Sequence, residues 1–169
     1  MRFDVQRIIV DPHFPLMDPS SAVFPTVRLV GKDLFLAFHL PNCDDSAIVS
    51  FEEIETWRYG YPNDEGLQEH RFWRHGLTHY NFHRSTESLA TSGGTLWIAT
   101  FHDGTFEVVA PRARIAVPVE RDATPSKALT TLLGAGDNRV LDDAGYQPLQ
   151  PTSGGWFRLL RKIVNAARG

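Results

Sequence analysis

Apolar and polar residues alternate at period two through most of the first 118 positions, and only the last fourteen carry a helical period near 3.6. The pattern predicts a β-rich body with a helical end. Its clearest stretch is Thr95 to Ala110, where Asp103-Gly104 separates two apolar runs and predicts a two-residue type I′ turn that needs positive φ at both positions. That turn pairs His102 with Thr105 and Phe101 with Phe106. Continued outward, the ladder puts Trp97, Ala99, Phe101, Phe106, Val108 and Ala110 on one face, with Leu96, Ile98, Thr100, His102, Thr105, Glu107 and Val109 on the other. The first face is wholly apolar and has to be covered by other strands and a helix.

The same rhythm predicts strands at Val5–Val10, Thr26–Val30, Leu34–Leu40, Ser46–Phe51, Ile54–Tyr59 and Arg112–Val117. Gly31-Lys32-Asp33 turns the second of these into the third, in either of two registers. Four prolines between Asp11 and Pro25 make that segment an irregular crossing. Trp57 and Tyr59 share a face, while Glu55 and Arg58 are expected to meet solvent. Gly60 to Gly76 breaks the alternation and predicts a long loop with a turn of helix, of a length that in compact domains is disproportionately functional. Leu77 to His83 then reads as a strand, with Thr78, Tyr80 and Phe82 on the buried side and Leu77, His79, Asn81 and His83 on the polar side.

From about Pro118 to Gly155 glycine and proline interrupt every long element, so 119–155 is expected to be a linker. It holds one short helix over Ser126–Leu133, with Thr124 as N-cap and Pro125 at the first helical position. In 156–169, Trp156, Phe157, Leu159, Leu160, Ile163, Val164 and Ala167 fall in one half of a helical wheel, with Arg158, Arg161, Lys162, Asn165 and Arg168 in the other. The expected fold is therefore α+β: a mainly antiparallel curved sheet or partly open barrel in 1–118, the linker, and a C-terminal basic amphipathic helix.

A chain of 169 residues, 42% hydrophobic, can bury a core without disulfides, and its single cysteine, Cys43, suits a reducing compartment and rules out cysteine-rich zinc sites. Arg2, Asp4 and Arg7 stand where a signal peptide would be apolar, and no run approaches the ~20 residues that cross a bilayer. A cytoplasmic protein is the expectation. Net charge −3 argues against a nucleic-acid partner, although the last 26 residues carry +4 and leave the first 143 at −7. A membrane surface is a partner only through the 156–169 helix.

Four of seven histidines, His70, His75, His79 and His83, fall within fourteen residues beside Asp64, Glu65 and Glu69. Imidazole and carboxylate are zinc and iron ligands, but on a strand His79 and His83 lie about 13 Å apart at roughly 3.3 Å per residue. No metal and no cofactor is expected. Asp64, Glu65 and His70 could do acid–base work if the loop brought them together. Glycine-rich phosphate loops, nucleophile elbows and His-Glu-x-x-His are all missing from the sequence.

The segments Tyr-Pro-Asn-Asp-Glu at 61–65 with His70, and Phe-His-Asp-Gly-Thr-Phe-Glu at 101–107, resemble segments of uncharacterised small bacterial proteins of about this length, over the middle third of the chain. The resemblance implies a bacterial cytosolic setting and nothing mechanistic. Aromatic and arginine residues dominate interface hot spots, so the expected function is a non-catalytic binding or accessory protein, of which an immunity-like role, by analogy with other small acidic cytosolic proteins, is one form. It would contact a protein partner through the 61–75 loop, with Tyr61, Asp64, Glu65, His70, Arg71, Trp73 and Arg74 as binding residues. The alternatives are an enzyme using Asp64, Glu65 and His70, and a membrane-associated protein using 156–169.

Overall fold

The computed structural model describes residues 7–20, 23–41, 44–87 and 93–142. Ten strands, one α-helix and two short 3-10 turns follow in order within these residues: β1 (Ile8–Val10), β2 (Thr26–Val30), β3 (Asp33–His39), β4 (Ser46–Glu52), β5 (Thr56–Gly60), β6 (Phe82–Ser85), β7 (Thr95–Thr100), β8 (Thr105–Ala110), β9 (Arg112–Glu120), α1 (Pro125–Leu133) and β10 (Arg139–Val140), with the 3-10 turns Leu67–Glu69 and Trp73–His75 between β5 and β6. The strands make two antiparallel five-stranded sheets. The front sheet runs β1-β6-β7-β8-β5 and the back sheet β10-β2-β3-β4-β9, so the fold is mostly antiparallel sheet and not a closed barrel.

Period-two alternation explains how the two sheets meet. Leu34, Leu36 and Phe38 of β3 and Ala47, Val49 and Phe51 of β4 point inward to join Trp97, Ala99, Phe101, Phe106, Val108 and Ala110 in one core. The predicted apolar face is thus buried as a unit. Aromatic rings interlock across it, with Phe51 centred 5.8 Å from Phe106 and Phe38 5.8 Å from Phe82.

Both outer faces are covered as well, which is why strands such as β7 and β8 are buried on both sides and read as nearly continuous apolar runs. Over the back sheet, Ala128 and Leu129 of α1 pack with Ala123 on Ala37 and Ile48. Thr124 caps α1 by accepting from Lys127 N at 3.3 Å, and Pro125 occupies its first turn, as the sequence predicts. Over the front sheet, Leu67, Phe72 and Leu77 of the long loop pack on Ile8, Leu96, Ile98 and Val109.

Several expectations change. Residues 119–142 are no linker: β9 runs through Pro118 to Glu120, α1 packs on the back sheet, and β10 pairs with β2, so folded structure continues to Asp142. Leu129, wholly buried, and Leu141, 4% exposed, supply the apolar anchors that the glycine-rich composition obscures. The helix expected over 156–169 lies outside the described residues, as does Cys43. The predicted strand Leu77–His83 gives way to a later one, Phe82–Ser85, and Tyr80, at a left-handed φ of 55°, interrupts the extended chain before it. Tyr80 and Phe82 do pack on the central core, but Leu77 and His83, expected on a polar side, are buried under the loop.

The central hairpin is shifted by two residues. Thr100 pairs with Thr105 and Ala99 with Phe106, leaving Phe101 to Gly104 as a four-residue turn closed by Phe101 N donating to the Gly104 carbonyl at 2.9 Å. Neither Asp103 nor Gly104 has positive φ, so the type I′ turn is absent. A shift of two leaves every side chain on its own face, so the apolar pattern fits both registers. Gly104 is needed for space: a Cβ there would lie 2.7 Å from Cζ of Tyr59. Gly104→Ala should cost about 1 kcal/mol, mostly recovered when Tyr59 is also replaced by Ala. Equal costs in both backgrounds, read from urea unfolding, would put the effect back in the backbone.

Candidate functional site

Cross-strand pairing builds a polar row across the outer face of the front sheet. Val10, His83, Ile98, Glu107 and Arg58 face one another in turn along β1, β6, β7, β8 and β5. The loop folds down on this row. Its return into β6 is fixed by Gly76, at φ 109°, where a Cβ would sit 2.3 Å from the Ile8 carbonyl oxygen.

Glu107, between Ile98 and Arg58 in the row, is 1% exposed. Both of its oxygens are taken: Arg58 donates to Oε1, Arg71 donates to Oε1 at 3.2 Å and to Oε2, and His70 Nε2 donates to Oε1 at 3.0 Å. Burial by itself pushes this carboxyl upward, but Arg71, the His70 hydrogen bond and Arg58 together outweigh it and hold Glu107 far below the usual carboxylate range. His70 Nδ1 accepts from Phe72 N at 3.2 Å, which places the ring proton on Nε2 and fixes the tautomer that donates to Glu107. Arg71 also lies 4.7 Å over the Phe72 ring.

His83, wholly buried, is the second element. Its Nε2 accepts from Thr78 N at 3.0 Å and its Nδ1 donates to the Ile98 carbonyl at 3.3 Å, so it is neutral and tethers the end of the loop to β7. Burial pushes its pKa down to about 4.

A second cluster joins the front of the loop to the tip of the hairpin. Asp64 N donates to the His102 carbonyl at 3.0 Å, Tyr80 donates its hydroxyl proton to Asp64 Oδ2 at 2.6 Å, and His102 Nδ1 sits 2.8 Å from the same oxygen, off the line of a good hydrogen bond. His79 Nε2 is 3.0 Å from the Asp64 carbonyl oxygen. Burial pushes the Asp64 carboxyl up, but Tyr80 and His102 prevail and lower it, while burial and then Asp64 push the Tyr80 hydroxyl up to about 12.

The predicted site residues are therefore separated. Asp64 turns to His102 and Tyr80, His70 turns inward to Glu107, and Glu65 is exposed, so the three do not converge as an acid–base set. Arg71 is an anchor, 22% exposed at its side chain. Tyr61 is 63% exposed and donates to Glu69 at 2.5 Å, a hydrogen bond that raises its pKa. Trp73 is half-buried at the rim of the loop, its ring 5.6 Å from that of His79, and Arg74 is exposed. Trp57 and Phe72 are core, and Arg58, expected in solvent, is held by Glu107. Glu107, Arg58, Tyr80 and His102 escape sequence reasoning as site residues, while His83, weighed there only as a metal ligand, tethers the end of the loop. The one available signal was an acidic residue inside the run Thr105 to Ala110, on a face otherwise rich in Leu, Ile and Val.

Among the described residues no group of three His, Cys, Asp or Glu is placed to hold a metal ion, and no helix is long and apolar enough to cross a membrane. No family model, curated protein or solved structure matches the chain.

Two outcomes follow from the buried groups. Glu107→Gln leaves two guanidinium groups facing a neutral amide and should cost about 3–5 kcal/mol, whereas adding Arg71→Met should restore part of that loss. Additive losses in chemical denaturation would show that Glu107 and Arg71 do not act as a unit. His83 is neutral in the fold but binds a proton near pH 6.5 once unfolded, so the unfolded state holds more protons as pH falls. Stability present above pH 6.5 should be lost down to about pH 4, on the order of 3 kcal/mol in all. His83→Gln should be less stable at pH 7 and flatter across that window; an unchanged slope would mean that another group titrates.

Proposed function

We propose that the protein is a non-catalytic binding module whose 61–75 loop meets a protein partner. The observation that carries this reading is the anchoring of the loop: Arg71 and His70 are tied to buried Glu107, and Asp64 is tied to the hairpin tip, while Tyr61, Trp73 and Arg74 stay at the surface. A loop held in one shape loses little conformational freedom on binding, and Trp, Tyr and Arg are the side chains that dominate interface energies. The separation of Asp64, Glu65 and His70 removes the geometric basis for the acid–base set read from the sequence. The test is Trp73→Ala with Arg74→Ala, compared with the parent by quantitative pull-down from the native host. The doubly substituted protein should keep its melting temperature and lose a specific partner; an identical set of captured proteins with both would exclude the loop as the site.

A second reading, an enzyme, is favoured by one arrangement. His102 stands against Asp64 with Tyr80 on the same carboxylate, and Tyr80 holds a left-handed backbone conformation of the kind that gathers at reactive sites. Turnover of simple ester, amide or phosphoester probes that disappears in His102→Gln and persists in Trp73→Ala would favour this reading over the binding one.

A further inference from the structure

We draw no further inference here: the strongest candidate, the outer edge of the nine-residue strand β9 in the back sheet, carries nothing, because Arg112 and Arg114 are already paired with Glu52 and nothing in the structure shows what would cover the edge.

Discussion

The front half of this fold depends on one buried carboxylate. Glu107 lies on the outer face of its strand beside apolar Ile98 and Val109, beneath the covering loop, and burying a charge there is tolerable only if its lone pairs are matched. Arg58 comes from the adjacent strand and is aligned by pairing alone. His70 and Arg71 come from more than thirty residues away in sequence and reach Glu107 only if the loop closes in one orientation. The carboxylate is therefore a condition on the loop as much as on the sheet.

This dependence explains which parts of the structure were legible beforehand. Alternation is a local property, so the two faces of the central hairpin, the existence of the β2–β3 hairpin though not its register, and the cap of α1 could all be read from neighbouring residues. Absolute register is a different matter, because a slip of two positions preserves every face and costs nothing in the pattern. The observed register is held by contacts distant in sequence: Thr100 Oγ1 donates to the Thr78 carbonyl at 2.9 Å and accepts from Asn81 N at 3.1 Å. A two-residue reading of Asp103-Gly104 contains no information about Thr78.

The site was less legible than the fold for the same reason. Asp64, Glu65 and His70 are close in sequence, which suggests a set, yet Asp64 is turned to the hairpin tip, His70 to buried Glu107, and Glu65 to solvent. In the sequence Asp103 is explained by its turn and His102 by its place at the hairpin end, but the His102 backbone and ring both engage Asp64, 38 positions earlier in the chain. Histidine spacing misled in the opposite direction. An unbroken strand would put His79 and His83 on one face, but the break at Tyr80 leaves His83 wholly buried and His79 exposed.

Apolar packing alone could have held the loop, and in energy it does most of the holding. Leu67, Phe72 and Leu77 bury their side chains almost completely against the front sheet, whereas a buried ion cluster offsets its desolvation cost and contributes little net stability. What the cluster adds is direction. Leucine and phenylalanine accept many orientations of a covering segment, but an arginine fork on Glu107 and an imidazole of fixed tautomer accept one. The backbone around Arg71 and Phe72 is thereby set, and with it the places where Trp73 and Arg74 emerge. On the binding reading, this is the reason for a buried charge on that face: the apolar side chains keep the loop down, and Glu107 determines which surface it presents.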